Sequence, residues 1–119
     1  MSNVILYRKQ DLQFNPYGED PGKASIARVV GPEVSKTIGA GIATFDQTSI
    51  AWTVLYDEVV VCLSGLFRLR VGDQVFEAGP GDSIWIPENT AVLYEGDAAE
   101  VFYTLYPVNW AEINSKKTI

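Results

Sequence analysis

The segment Trp52-Thr-Val-Leu-Tyr-Asp-Glu-Val-Val-Val-Cys-Leu-Ser-Gly65 consists mainly of β-branched and aromatic residues and ends at a glycine. Such residues are enriched in strands, whereas glycine marks turns and bulges. A second segment, Gly81-Asp-Ser-Ile-Trp-Ile-Pro87, has a similar apolar middle between a glycine and a proline. Both segments therefore predict β structure that is bounded by turns.

The rest of the chain has the same character. It shows almost no sustained helical spacing of apolar residues, and its β-rich stretches recur about every ten residues, as is typical of a sandwich or closed barrel. We therefore predict an all-β fold. The candidate strands are Val4–Tyr7, Ser25–Val30, Ile38–Phe45, Ile50–Tyr56, Val59–Ser64, Leu66–Val71, Gln74–Ala78, Ser83–Ile86, Ala91–Tyr94 and Val101–Tyr106.

The length of 119 residues is that of a single domain, so we expect one domain over 1–119. The turn formers of Asn15–Lys23 predict a loop. Gly72-Asp73 separates two candidate strands and predicts a tight hairpin with a type II′ turn. Residues 111–119 are too few to form a stable helix alone, and a docked turn or a frayed tail is expected there.

Composition excludes several classes of function. The net charge of −6 argues against a nucleic-acid partner. The chain lacks the roughly 20 consecutive apolar residues of a membrane span, and its N-terminus lacks a signal-peptide pattern, so a cytoplasmic protein is expected. With one cysteine it cannot form an internal disulfide, and with no histidine it cannot build a Ser-His-Asp triad, a Cys-His pair or a histidine metal site.

The two opening segments resemble the conserved motifs of the cupin superfamily. Glu58, Gly65, Gly81 and Pro87 match those motifs in type and spacing. The resemblance implies a double-stranded β-helix, or jelly-roll barrel, with polar positions facing its interior. Where the family has a glycine after the proline this chain has Asn89, which also tolerates a left-handed conformation.

The chain departs from the cupin pattern at the metal ligands. Trp52, Val54 and Val92 stand where the family has its three histidines. Glu58 alone cannot hold a transition metal, so we expect no cupin metal site and no cofactor. A hard oxygen-ligand site that uses Asp57, Glu58 and backbone carbonyls stays open.

A closer resemblance is to the C-terminal cupin domain of the ethanolamine utilisation protein EutQ family. It rests on the run Trp52–Glu58, on Ile86-Pro87 and on the late run Tyr103–Trp110. The resemblance implies a single jelly-roll barrel, commonly a homodimer, without the histidine triad. Acetate-kinase-type activity and an ethanolamine microcompartment are implied weakly, because the chain has no Gly-x-x-x-x-Gly-Lys-Ser/Thr phosphate loop.

The resemblance also places a pocket on the face that carries Glu58. Full extension would separate Trp52 from Glu58 by about 20 Å, so Trp52 joins this pocket only if the chain bends near Leu55–Asp57. Burial favours a protonated Glu58. We expect Glu58 to transfer protons and Tyr56 to donate a hydrogen bond in a pocket for a small polar molecule, with these residues around it: Trp52, Val54, Tyr56, Asp57, Glu58, Trp85, Val92 and Tyr103.

Other interpretations stay open. Glu58 can instead be a structural residue that hydrogen-bonds to Tyr56 or to backbone amides. The chain can be a metal-independent enzyme (an isomerase, a lyase or an acyl-phosphate enzyme), a small-ligand binding module, or a structural accessory of an ethanolamine-utilisation-type assembly. An enzyme needs a hollow barrel and a carboxyl group with a shifted pKa, whereas an accessory protein could have a filled one.

Plainer roles are expected for the remaining distinctive residues. Cys62 is predicted to be a small buried hydrophobe, and Asp82 a turn-capping residue. Arg68 and Arg70 alternate with apolar residues and predict a solvated face. Tyr106-Pro107 and Trp110 are expected to pack against the barrel or against a second subunit.

Overall fold

The computed structural model describes residues 3–117, the last two by their backbone alone. A short 3-10 turn at Lys9–Asp11 precedes the sheet. The strands are β1 (Asn15–Pro16), β2 (Ala24–Val30), β3 (Gly39–Phe45), β4 (Ser49–Thr53), β5 (Asp57–Val71), β6 (Gln74–Ala78), β7 (Ser83–Ile86) and β8 (Ala91–Tyr106), and α1 (Trp110–Lys117) follows them. This confirms the predicted all-β class. No helix in the described range is long and apolar enough to cross a membrane.

The long strands β5 and β8 organise the sheet. They run antiparallel to each other, from the pair Asp57–Tyr106 to the pair Arg70–Leu93. The first half of β5 also pairs with β7, and its second half pairs with β6. Likewise β8 pairs with β4 through its first half and with β3 through its second. The sheet therefore folds into two facing layers that share β5 and β8, with the core between them.

Bulges allow each long strand to pass from one layer to the other. Glu58, Val60 and Cys62 alternate inward in the first half of β5, and Phe67 and Leu69 continue the buried face in the second half. Because Cys62 and Phe67 are an odd number of residues apart, the alternation must slip once, and the register shifts between Cys62 and Leu66. The sequence prediction ended a strand at Ser64, whereas the ladder continues through this bulge.

Other differences concern the ends of elements. The predicted strand Val4–Tyr7 does not form, and its side chains are exposed, Val4 to 87%. The predicted strand Ile50–Tyr56 ends at Thr53. Within Asn15–Lys23, Asn15–Pro16 pairs briefly with β2 and the rest is loop. In place of a docked turn or frayed tail over 111–119, α1 forms up to Lys117, and residues 118–119 lie outside the described range.

Several local predictions are confirmed. Val71 pairs with Gln74 across Gly72-Asp73, and Gly72 has the positive φ of 58° that a type II′ turn requires. Asn89 is left-handed, with a φ of 72°. Cys62 is buried, and Asp82 accepts a hydrogen bond from the Gly79 amide at 2.9 Å.

Arg68 and Arg70 lie on the outer face, as predicted, but they are ion-paired. Arg68 Nη1 is 2.7 Å from Asp97 Oδ2, and Arg70 Nη2 is 3.2 Å from Glu95 Oε1. The guanidinium groups lower the pKa values of both carboxyl groups. These neighbouring carboxylates neutralise the positive face and leave it unsuited to an anion.

Candidate functional site

A cavity of about 280 Å³ lies between the two layers. Strands β2, β3, β5 and β8 form most of its wall, and Trp52, Tyr56, Trp110 and Ala111 complete it. Small residues on β3 leave room for it, since Gly39, Ala40 and Ala43 are among the residues that line it. Its wall is mainly apolar, with a few polar groups, as is typical of small-molecule sites.

Glu58 is the first inward-facing residue of β5, and its side chain faces this cavity. It is 5% exposed and is the one buried charged residue in the described part of the chain. Its Oε1 accepts a hydrogen bond from the Tyr94 hydroxyl at 2.9 Å. Burial raises the pKa of Glu58 to about 7, although the Tyr94 hydrogen bond opposes that rise. The carboxyl group therefore exists in both protonation states near neutral pH.

Four tyrosines surround the Glu58 carboxyl group: Tyr17, Tyr56, Tyr94 and Tyr103 line the cavity with it. Burial raises the pKa of each of them, and the negative charge of Glu58 adds to this rise. Their hydroxyl groups are therefore neutral at physiological pH and can donate hydrogen bonds.

The chain bends between β4 and β5, and this bend brings Trp52 into the site. Trp52 Nε1 donates to the Tyr56 hydroxyl at 3.3 Å, which leaves the hydroxyl proton of Tyr56 available to another acceptor. The Trp110 ring packs edge-on against Trp52, with 5.9 Å between ring centroids, and lies 5.2 Å from the Tyr56 ring. The helix α1 thereby closes one end of the cavity.

Of the predicted pocket residues, Trp52, Tyr56, Glu58 and Tyr103 line the cavity, and the other four do not. Val54 is fully buried in the core, and Val92 is buried opposite Trp52. Asp57 is next to Glu58 in an extended strand, so it faces outward, where its Oδ1 accepts a hydrogen bond from the Glu88 amide at 2.9 Å. Trp85 lies between the inward Ile84 and Ile86 and is 60% exposed on the outer face.

The donor set does not fit a metal ion. Trp52, Val54 and Val92 leave Glu58 as the one ligand of the cupin pattern, and no group of three His, Cys, Asp or Glu side chains suited to a metal occurs within residues 3–117. Asp57 and Glu58 point to opposite faces of β5, so they cannot form the oxygen-ligand site that the sequence left open. The ionisable side chains that line this cavity are therefore one carboxyl group, several phenols and the Arg28 guanidinium group.

Sequence reasoning missed Tyr94, Arg28 and Trp110, which also line the cavity. Tyr94 had a usable signal, because it follows Val92 by two residues and so shares its face of the strand. Arg28 lies two residues after Ile26, but nothing in the sequence shows that this face of β2 meets a cavity. Trp110 reaches the site through the packing of α1.

Comparisons with known proteins agree with this fold. The family model described as "Ethanolamine utilisation protein EutQ" matches residues 11–112. A curated relative named "Acetate kinase EutQ", from Clostridioides difficile strain 630, is 29% identical over 83 residues, which cover 69% of this chain and 53% of the relative. The chain thus spans about half the length of the curated relatives it matches.

Solved structures give the same result for the fold. The crystal structure of a putative ethanolamine utilization protein Q from Salmonella typhimurium LT2 superposes with a TM-score of 0.82 at 22% identity, covering 89% of this chain and 88% of that one. An RmlC-like cupin from Shewanella frigidimarina gives 0.69 at 14% identity, covering 85% and 88%. The predicted cupin fold is therefore confirmed.

Proposed function

Because this chain belongs to the EutQ family of cupin proteins, we propose that its barrel cavity binds a small polar metabolite and that Glu58 gives or takes a proton there. The observation that carries this proposal is a glutamate, 5% exposed, facing a cavity of about 280 Å³. A carboxyl group with a pKa near 7 is suited to proton transfer at neutral pH. No metal takes part in this proposal.

The tyrosines have different roles in the proposed site. Tyr94 donates to Glu58 and so stabilises the carboxylate form, which can accept a proton. Tyr56 accepts a hydrogen bond from the Trp52 indole N–H and contacts the Tyr94 hydroxyl, and it can turn its own proton to a substrate oxygen. A metabolite oxygen bound by Tyr56 would thus lie beside the group that transfers the proton.

Phosphoryl transfer, the activity in the name of the curated relatives, is less well supported by this geometry. Transfer of a phosphoryl group requires several positive charges around the phosphate oxygens. Among the described residues that line the cavity, Arg28 is the one cation, and Glu58 is itself acidic. The cavity therefore favours proton transfer. A purely structural accessory of an ethanolamine-utilisation assembly is also less well supported, because side chains do not fill this barrel.

The test is a thermal-shift screen of the untagged protein, because a His-tag would add the imidazoles that the chain lacks. The ligands are small carboxylates, aldehydes, amines, sugars, acyl phosphates, nucleotides and divalent metals. A ligand at about 100 times its dissociation constant adds about 2.7 kcal/mol, which is several degrees for a domain of this size.

Glu58→Gln keeps the shape of the side chain and removes its charge, and Glu88→Gln is the matched control on the exposed surface. We expect a shift that Glu58→Gln loses and Glu88→Gln keeps. If every shift is the same in all three proteins, Glu58 has no role in binding and the proposal is wrong.

A further inference from the structure

Arg28 is the one positively charged residue among the described residues that line the cavity, and it has no role in the proton transfer proposed above. It lies on β2 opposite Gly41, which in turn lies opposite Tyr103 on β8, so the three residues share the inner face. Gly41 has no side chain, and a Cβ there would overlap the Tyr103 hydroxyl. Tyr103 thus lies across Gly41 toward Arg28, whose charge opposes the rise in the Tyr103 pKa.

The guanidinium group is available to a ligand. Arg28 is exposed, and its side chain makes no hydrogen bond or ion pair with any residue in 3–117. By contrast, Arg68 and Arg70 on the outer face are both paired with carboxylates. Arg28 therefore marks the open, solvent-exposed end of the cavity, and the buried Glu58 marks its inner end.

Arg28 and Glu58 form no ion pair with each other, and two strands lie between them. Arg28 is on β2 and Glu58 is on β5, with β3 and β8 between them. Three strand spacings correspond to about 14 Å along the sheet. Gly41 on β3 and Tyr103 on β8 lie between the two groups, and the rest of the wall is mainly apolar and includes Phe45, Phe67 and Val101. A ligand that contacts both groups therefore needs polar groups at its two ends and an apolar body.

The single positive charge of Arg28 and the volume of the cavity limit the class of ligand that can bind. One guanidinium group neutralises one carboxylate and can bind it through two parallel hydrogen bonds. A phosphate ester carries about −1.5 to −2 charges, which a lone arginine leaves partly uncompensated. A volume of about 280 Å³ is several times the ~30 Å³ of a water molecule and accommodates roughly ten non-hydrogen atoms.

We propose that the metabolite is a carboxylate with an apolar or aromatic body, whose carboxylate group binds Arg28 and whose hydroxyl or carbonyl group reaches Glu58 and Tyr94. This inference rests on the proposed function, because it assigns a ligand class to the same cavity. Arg28 is then the residue that selects acids over neutral and cationic analogues. Its contribution is separate from the proton transfer assigned to Glu58.

The test is isothermal titration calorimetry with two pairs of probes that differ only in charge. The pairs are 4-hydroxybenzoate with 4-hydroxybenzamide and 6-hydroxyhexanoate with its amide, and both acids carry their hydroxyl group at the end opposite the carboxylate. 4-Hydroxybenzylamine supplies a cationic analogue, and acetyl phosphate supplies a small acyl phosphate. We expect at least one acid to bind about tenfold or more tightly than its amide, because the amide cannot form the charge-assisted pair.

Variants assign the charge preference to one residue. Arg28→Gln is expected to weaken binding of the acid about tenfold and to leave binding of the amide unchanged, whereas Arg28→Lys retains part of the preference. Lys36→Gln is the matched control, because it removes one positive charge from an exposed residue that does not line the cavity. Melting curves of the unliganded variants check that each one folds.

Equal binding of acid and amide, tighter binding of the amine or of acetyl phosphate, or an acid preference that survives in Arg28→Gln would each overturn the carboxylate assignment. So would a failure of all the probes to bind. The proposed function is tested separately by Glu58→Gln. If a neutral or cationic compound binds and loses its binding in Glu58→Gln, the proposed function stands and the ligand class is wrong. If acids bind through Arg28 and Glu58→Gln has no effect, the role of Glu58 is wrong and the ligand class stands.

Discussion

At the scale of single residues, Glu58 makes the stability of the chain depend on pH. Its pKa is about 7 in the folded chain, above the value of 4.5 expected for the unfolded chain. A raised pKa in the folded state means that stability is fully present below the unfolded value and is lost as the pH rises through the folded value. The window is therefore about pH 4.5 to 7, and the cause is the burial of the carboxylate.

We expect the free energy of unfolding, relative to that of Glu58→Gln, to fall by roughly 3 kcal/mol between about pH 4 and pH 8. Urea unfolding of both proteins at each pH measures this difference. The variant is the control for all other titrating groups, including Glu95 and Asp97, whose lowered pKa values act below this window. A difference that does not change with pH would show that Glu58 titrates normally.

The second prediction at this scale concerns Tyr94. Tyr94→Phe removes the hydrogen bond that favours the Glu58 carboxylate, so the pKa of Glu58 should rise further. A hydrogen bond to a charged group contributes about 1.5 kcal/mol or more, which corresponds to about one pH unit. An NMR titration that follows the carboxyl ¹³C signals of the glutamates measures the pKa of Glu58 in the variant and in the unmodified chain. Tyr56→Phe is the control, since Tyr56 donates no hydrogen bond to Glu58 in this structure, and an equal change in both variants would contradict the assignment.

The sequence was sufficient to locate Glu58 and Tyr56, because the spacing of glutamate, glycine and proline identifies the motif and period two gives the face. The sequence was not sufficient to place Trp85, because the pattern of a short strand does not show which of its alternate residues face the core. Arg28 could not be predicted either. Its place in the site depends on the pairing of β2 with β3, a contact between distant parts of the chain.

At the scale of elements, the positions of most strands follow from local residue pattern, whereas their continuity does not. The sequence placed breaks at Ser64 and between Tyr94 and Val101, but β5 and β8 run through both points. Gly65 has a φ of 72° and Ala98 a φ of 46°, so both strands are distorted where they cross from one layer to the other. A turn-forming residue here marks a bulge inside a strand and not the end of that strand. Residue composition alone does not distinguish a bulge from a turn between two strands.

Gly65 provides a prediction at this scale. Gly65→Ala should destabilise the chain by more than about 3 kcal/mol, because a left-handed residue with a side chain costs about 1 to 2 kcal/mol and the new Cβ would also overlap the Ala98 carbonyl group. The control is Gly72→Ala, where φ is also positive, at 58°, but no atom lies within 4 Å of the new Cβ. Chemical denaturation of both variants separates the two effects. Equal losses would mean that crowding at the crossing of β5 and β8 is unimportant.

The ends of the described chain differ from the prediction because their structure depends on contacts with other elements of the fold. Val4–Tyr7 has strand-forming residues, but without a neighbouring strand its backbone has no ladder to join. The helix α1 has eight residues and would be marginal alone, yet Trp110 anchors it on Trp52 and Tyr56. In both cases tertiary contacts, or their absence, outweigh local propensity.

At the scale of the whole molecule, the outer face beside β5 carries exposed aromatic residues. Trp85 on β7 lies next to Val59, which lies opposite Thr104 on β8, and Tyr106 follows two residues later on the same face. Trp85 is 60% exposed and Tyr106 is 55% exposed. Aromatic residues that remain on a surface are enriched in the centres of protein interfaces. We therefore propose that this face joins two copies of the chain into the homodimer that the resemblance implies.

We expect sedimentation at micromolar concentration to give a molar mass twice that of one chain. We expect Trp85→Ser to give the mass of a monomer. Trp85 does not line the cavity and is mostly exposed, so its replacement should leave the fold intact and the unfolding midpoint nearly unchanged. The matched control is Val75→Ser, which removes an exposed apolar side chain, 42% accessible, from the outer face of β6. Sedimentation velocity over a dilution series measures both variants. If the unmodified chain is monomeric throughout, or if Val75→Ser dissociates it as readily as Trp85→Ser does, the aromatic face beside β5 does not join two copies.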